Sequence, residues 1–322
     1  MRISLNILGF LILGAAVLIG YSAFANAQDG VQDLEATPFM IERGQSARAI
    51  GENLEAAALI DSAFFFRMSL RLSGRASDIK AGEYAIPLGA DLNEIIGIIT
   101  AGDVIQRGVT IPEGLTSWQI VELLNANPDL IGDISQIPAE GSLLPETYAF
   151  TAGDTRQDIL DRAAAAMDRT LAELWAARAG DVAVSSPAEA VILASIIEKE
   201  TGVNSERGLV SSVYSNRLQT AGWRLQADPT IIYGLTDGRM DLGRGIRRSE
   251  LDDAGNPYNT YQHQGLPPGP IANPGRAALE AALNPATSDY YFFVADCQGG
   301  HNFGITLAEH NQNVAHYRAN CG

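Results

Sequence analysis

The chain has 322 residues, 46% of them hydrophobic and 19% charged, which is the make-up of a globular protein with room for about two domains and a sizeable core. Its formal charge of −16 excludes nucleic acid as a partner, because neutralising a phosphate backbone needs clustered Lys and Arg. An acidic surface is compatible with a neutral polymer or a small substrate.

From Ile3 to Ala27 the chain is almost wholly apolar, with Arg2 and the α-amino group before it and Gln28 and Asp29 after it. The run is long enough to cross a bilayer, and its positive flank places the amino terminus inside and the remainder across the membrane. Ala25-Asn26-Ala27 also has the A-x-A form of a signal-peptide cleavage site. The length of the run favours a retained anchor, residues 1–27, followed by a polar tether over residues 28–37; both readings export the rest. Cys297 and Cys321 are the two cysteines, and in such a compartment a disulfide and two free thiols are both open.

From Pro38 the pattern predicts a short strand, a turn at Gly44, and an amphipathic helix carrying Ile50, Leu54 and Ala58. A second helix over Phe64–Leu72, a strand around Gly82–Ile86 and a third helix over Asp91–Thr100 complete a small α+β unit closing near Gly102. Its Phe64-Phe65-Phe66 cluster is expected in the core. Next come a strand before Pro112, a turn at Pro112-Glu113-Gly114, a helix capped by Thr116 or Ser117, a Gly/Pro-punctuated loop over 140–148, and a long helix from about Thr155 to Arg178.

SPAEAVILASIIEKETG, residues 186–202, carries a full set of helix signals. Ser186 is a good N-cap, Pro187 suits the first turn, Glu189 completes an S-x-x-E capping box, and Gly202 is placed to end the helix in the left-handed region. Leu193, Ile196, Ile197 and Glu200 share one face, while Glu198 falls with Val191, Ala194 and Ser195. A carboxyl that ends an apolar stripe at the negative end of the helix dipole is biased toward its neutral form, as a general acid requires. The plainer alternative is a Glu200 turned to solvent, or paired with Arg207 or Arg217.

Asn204–Leu218 reads as another amphipathic helix. Asp228 is an N-cap candidate ahead of Pro229, opening a short helix to Tyr233. From Gly234 to Pro274 periodicity is lost in a stretch dense in Gly, Pro, Asn and Tyr, and irregular segments of such length are usually functional or disordered. A helix over Pro274–Leu283, a buried strand over Tyr290–Ala295, the Gly299–Phe303 segment and a last helix, with His310 and His316 on or near it as ordinary surface or core imidazoles, finish the chain.

LASIIEKET (193–201), RLQADPTIIYG (224–234), YNTYQHQGLPPGPIANPG (258–275) and YFFVADCQGGHNF (291–303), with IKAGEYAI (79–86), Pro112-Glu113-Gly114 and LLPETYAF (143–150) upstream, resemble the endolytic murein transglycosylases of the YceG-like family. The resemblance runs from Pro38 to near the end. It implies an α+β chain with one amino-terminal transmembrane helix, a small LysM-like domain over 38–107, and a catalytic domain with a lysozyme-like helical element over 108–322. The implied activity is cleavage between N-acetylmuramic acid and N-acetylglucosamine within peptidoglycan glycan strands, without net water and without a cofactor or metal, leaving 1,6-anhydromuramyl ends. The second glutamate of the family's E-K-E-T run is the catalytic acid, here Glu200. Gln226, Asp228, Tyr233, Asn259 and Tyr261 are candidates for holding the sugar. The resemblance also implies an inner-membrane protein with its catalytic domain in the periplasm, working beside peptidoglycan synthases.

Three other readings stay open on the residues. A muramidase would use Glu200 as acid and Asp228 as nucleophile or stabiliser. A tethered glycan-binding protein would have no activity. A metal hydrolase would need ligand spacing that the four histidines do not show.

Overall fold

The computed structural model describes residues 36–321 as two compact units, divided between Gln106 and Arg107. The apolar run Ile3–Ala27 lies outside the described residues. Among those described, no helix is long and apolar enough to cross a membrane.

In unit 1, β1 (Ala36–Ile41) pairs antiparallel with β2 (Gly82–Pro87), in a register that sets Ala36 opposite Pro87 and Ile41 opposite Gly82. Alternation along the strands turns Phe39, Ile41, Tyr84 and Ile86 inward, against α1 (Ala47–Ala56), α2 (Ala63–Ser73) and α3 (Leu92–Ala101). Ser46 and Asp91 cap α1 and α3 by accepting from backbone N–H groups of the first turn. The first helix stops at Ala56, short of the predicted Ala58, which turns into the left-handed region at φ 55°. Of the three consecutive phenylalanines only Phe66 is buried; Phe64 and Phe65 are 54% and 64% exposed. Successive helical residues differ by about 100° in direction, so three in a row cannot all meet one core.

Unit 2 begins with β3 (Gln106–Thr110), paired with β4 (Thr147–Thr151), and α4 (Ser117–Asn125), whose N-cap Thr116 forms a capping box with Gln119. The helices α5 (Arg156–Ala176), α6 (Pro187–Glu200), α7 (Arg207–Gln219), α8 (Asp228–Thr236), α9 (Arg248–Leu251) and α10 (Arg276–Leu283) follow. At the centre α6 packs against α5, α7, α8 and α10. Its predicted single stripe is in fact burial on most sides: Val191, Ala194 and Ser195 are as enclosed as Leu193, Ile196 and Ile197.

The aperiodic segment is ordered by buried amides. Asn273 is fully buried; its Nδ2 donates to Leu115 O (3.1 Å), Ser117 Oγ (3.1 Å) and Glu140 Oε1 (3.0 Å), and its Oδ1 accepts from Leu143 N (2.9 Å). β5 (Phe292–Ala295) and β6 (His301–Gly304) form an antiparallel hairpin. β5 starts two residues later than predicted and is half-buried rather than buried, because one side lies on α7 and the other on α11 (Leu307–Asn320). α11 has no buried residue, and a disulfide between Cys297 and Cys321 ties its end to the hairpin.

That disulfide closes a loop over a sequence separation of 24. Replacing both cysteines by serine is expected to lower the stability of unit 2 by about 3 kcal/mol, the loop-entropy value for a ring of that size. Hydrogen exchange should quicken in α11 well before α6; equal protection of α11 in both forms would contradict this.

Candidate active site around Glu200

Glu200 is the last residue of α6, and both ends of that helix are fixed by side chains. Ser186 Oγ accepts from Glu189 N (3.2 Å), but the Glu189 carboxylate turns to Ser185 N and Oγ (both 2.7 Å) instead of closing the predicted capping box. At the other end the chain leaves the helix at Thr201, which is extended and whose Oγ1 accepts from Val203 N (3.0 Å). Gly202 therefore has no left-handed cap to supply, and Glu200 is aimed by the last full turn rather than by a frayed end.

The Glu200 carboxyl faces α7. Tyr214 Oη donates to its Oε1 at 2.8 Å. Burial raises the carboxyl to about 7; the Asp228 charge pushes the same way, while the Tyr214 hydrogen bond and the Arg217 charge oppose. The Tyr214 phenol, wholly enclosed, is pushed well above its ordinary value, so it stays a donor. Arg217 does not pair with Glu200 as one sequence alternative had it. Its Nε donates to Tyr291 O (2.8 Å), its Nη1 donates to Leu225 O, and its guanidinium lies 5.7 Å from the Phe292 ring centre.

Glu200, Tyr214, Arg217, Gln226, Asp228 and Tyr261 line one pocket of about 370 Å³, closed on the far side by Phe292, Phe293, Leu307 and His310. Asp228 is not a cap. Ala227 takes that position, and Asp228, in the first turn of α8, accepts from Tyr261 Oη at 2.7 Å. Burial, then the Asp228 carboxylate, raises the Tyr261 phenol and keeps it a donor. Gln226 holds φ at 54°, a left-handed conformation that a side chain disfavours by roughly 1–2 kcal/mol; non-Gly residues held this way cluster at functional sites.

Two of the predicted sugar contacts lie elsewhere. Asn259 is fully buried, and its Nδ2 donates to the carbonyls of Glu250 (3.0 Å), Leu251 (3.2 Å) and Asp253 (2.8 Å). Its amide is spent on shaping the loop, and the expectation that it meets a sugar is corrected. Tyr233 packs on Tyr258 with ring centres 4.9 Å apart, and its hydroxyl reaches Glu140 Oε2 at 3.4 Å. It lines a separate hollow with Lys199 and Met240.

Glu198, two residues before Glu200, is also buried, yet it is engaged. Its Oε2 accepts from Gly275 N (2.9 Å), and Oε1 lies 3.4 Å from Arg207 Nη2. Burial raises this carboxyl above its ordinary value, against the pull of the Gly275 N–H and Arg207. A Cβ on Gly275 would overlap the Glu113 carboxylate, so the Pro112-Glu113-Gly114 turn, Glu198 and Gly275 close on one another as a brace. Sequence periodicity left Tyr214 among the apolar-face residues of its helix and gave His310 no role. What could have marked Tyr214 was its hydroxyl, which a buried tyrosine has to satisfy; for His310, carried by a helix without a buried face, no local signal exists.

Residues 39–316 match the sequence model of the YceG-like family. An endolytic murein transglycosylase of Bacillus subtilis is 31% identical over 94% of this chain and 90% of its own length. One of Streptococcus pneumoniae is 27% identical over 86% of this chain and 57% of its own. Among solved structures, a crystal structure of a yceG-like protein from Listeria monocytogenes superposes with a TM-score of 0.52 at 29% identity, covering 87% of this chain and 99% of that one.

Tyr214→Phe removes the one hydrogen bond that favours ionised Glu200, so the carboxyl should titrate above about 7; a carboxyl infrared or NMR titration that moves downward would contradict the geometry. Gln226→Gly relieves the left-handed strain and should leave stability within about 1 kcal/mol. Asn259→Ala, by contrast, takes the amide donor from the Glu250 and Asp253 carbonyls, while Leu251 O keeps Gln262 Nε2 (2.7 Å), and should lose about 2–4 kcal/mol in chemical denaturation.

Proposed function

Because the chain belongs to the YceG-like family, we propose that it is an endolytic lytic transglycosylase of peptidoglycan, with Glu200 as its single acid and base. The observation that carries the assignment is a carboxyl enclosed at the end of α6 that still lines a pocket and takes one hydrogen bond from Tyr214, an environment whose burial pushes it up to about 7. Below that pH Glu200 holds a proton; an unperturbed glutamate, near 4.3, would have lost it.

The chemistry follows from that proton. Neutral Glu200 donates to the oxygen leaving C1 of the N-acetylmuramic acid unit as the glycosidic bond breaks and positive charge develops on the ring. The resulting carboxylate accepts the proton of the same sugar's 6-hydroxyl, whose oxygen bonds to C1. The proton count closes, no water is consumed, and the product is a 1,6-anhydro end. Tyr214 holds one carboxyl oxygen and leaves the other free to serve both transfers. Arg217, fixed by two carbonyls, supplies a positive field that steadies the carboxylate between the steps. Gln226, Asp228 and Tyr261 hold the sugar from the α8 side. Asn259 orders the loop that carries Tyr261 through its backbone bonds, and Tyr233 takes no part in the Glu200 pocket.

The reading extends to the rest of the chain. Ile3–Ala27 anchors the protein in the inner membrane with residues 28–322 in the periplasm, unit 1 is LysM-like, and the enzyme works beside peptidoglycan synthases on nascent strands. The family relationship and the apolar run support these points.

Glu200→Gln keeps the Tyr214 hydrogen bond and removes the proton. Cleavage of purified glycan strands is expected to fall by about 10²–10⁴-fold or more, because one group serves both steps. Wild-type products should carry ends one water lighter than reducing ends. Reducing ends would instead support hydrolysis with Asp228 as second carboxylate, and near-normal turnover by a folded Glu200→Gln protein would remove the assignment.

The pH dependence has a definite sign. Activity should decline as pH rises through about 7, where Glu200 loses its proton. Between the unfolded value near 4.3 and the folded value the native state binds the extra proton, so stability also declines with rising pH, by up to about 4 kcal/mol. Glu200→Gln should abolish that slope and be the more stable protein at alkaline pH. A parallel slope in both proteins would contradict the burial account.

A further inference from the structure

Outside the active site, unit 1 exposes a row of large apolar side chains. Phe64 (54% exposed), Phe65 (64%), Met68 (39%) and Leu72 (81%) form a stripe along the outer side of α2, with their large apolar side chains in solvent. Contiguous exposed apolar surface of this kind marks an interaction site. The stripe continues into a hollow of about 500 Å³ between the α1–α2 and β2–α3 connections, where Phe65 meets Leu59, Ile60 and Leu88.

Charge and chain path specify what covers it. Between Asp61 and Asp78 the sequence holds Arg67, Arg71 and Arg75 and no acid, in a chain of net charge −16. Arg67 and Arg71 sit along one margin of the stripe, one turn apart, and Arg71 is exposed. Asp61 and Asp91 also border the hollow, but Asp91 is occupied in capping α3. A helix with an apolar face edged by arginine is the composition of an interfacial segment on an anionic bilayer. The antiparallel register supplies the direction. Ala36, where the described chain enters unit 1, lies opposite Pro87, and Pro87 and Leu88 form the rim of the hollow beside Phe65. Ala36 and the apolar surface are therefore at the same end of the unit. Eight residues, 28–35, separate Ala36 from the apolar run, a reach of about 30 Å at full extension.

We propose that the Phe64–Leu72 face of α2 is a docking surface for the anionic leaflet in which the amino-terminal run is anchored. Phe64, Phe65 and Leu72 enter the headgroup boundary, Arg67 and Arg71 meet lipid phosphates, and unit 1 is held flat against the bilayer instead of swinging on its tether. The inference rests on the reading of Ile3–Ala27 as an anchor, and its test separates the two.

Full-length protein is reconstituted into vesicles of phosphatidylethanolamine and phosphatidylglycerol. The two native cysteines being paired, a polarity-sensitive fluorophore is attached through Leu72→Cys in one preparation and Ala85→Cys in another, Ala85 being exposed on the outward face of β2. Brominated acyl chains should quench the probe at residue 72 and spare the one at 85. Arg67→Gln/Arg71→Gln should lower the docked-to-free ratio by about thirtyfold, the equivalent of about 1 kcal/mol per basic residue near an anionic surface, and phosphatidylcholine vesicles should do the same. Protein that stays with the vesicles while both probes are quenched alike would overturn the docking and leave the anchor standing. Protein that fails to remain with the vesicles would overturn the anchor first. Loss of quenching on adding soluble glycan strands would mark the hollow as a sugar site instead.

Discussion

A carboxyl kept neutral by its surroundings is the constraint on which unit 2 depends. Glu200 can be raised to about 7 only if water is held away from it, and that requires a helix buried on most sides up to its last turn. The short side chains of α6, Ala190, Ala194 and Ser195, allow four helices to close around it. Ser195 makes the point in detail: its hydroxyl donates to Ile192 O (2.8 Å) and accepts from Ile271 N (3.0 Å), tying the aperiodic segment to the helix that carries the acid. The loop is ordered because the helix is buried, and the acid is dry because the loop is ordered.

Two glutamates two residues apart show how context, not type, divides their work. Both lie at the end of α6 and both are raised by burial. Glu198 meets a backbone N–H and a guanidinium and is fixed as part of the Glu113–Gly275 brace. Glu200 meets a phenol and a pocket. A buried ion pair holds elements together, whereas a buried carboxyl with one hydrogen bond and an open side is free to exchange a proton.

Sequence pattern disclosed the helices well, since caps and periodicity are local properties. Ser186, Thr116 and Asp91 act as caps, as their residue types suggest, whereas spacing marked Glu200 but left it open to a solvent-facing or paired role, and the E-K-E-T resemblance pointed to the same residue. The misreadings concern a side chain's partner or direction, which residue type does not carry. Asp228 resembles a cap and instead meets Tyr261, thirty-three residues away. Asn259 has the polarity of a sugar contact and spends it on carbonyls within its own loop. Phe64 and Phe65 have core composition but point outward, because helical geometry grants only one of three neighbours a place inside. The part of the pocket lined by Leu307 and His310 was illegible for a further reason: it comes from a helix with no buried residue, so the apolar pattern that betrays a helix's inner face is missing.

That last helix bears on how a long polymer could be cut in its middle. An enzyme working inside a strand cannot wait for a free end to be threaded through a closed tunnel; the strand has to be laid in from the side. Glu200, Tyr214 and Arg217 reach the pocket from the packed helices α6 and α7. Leu307 and His310 reach it from α11, which rests on a two-stranded hairpin and is fastened at its ends by the Thr306 turn and the Cys297–Cys321 bond. The packing that encloses Glu200 and the fastenings that hold α11 are separate sets of contacts. Two differently built parts of the chain thus meet in the same small pocket.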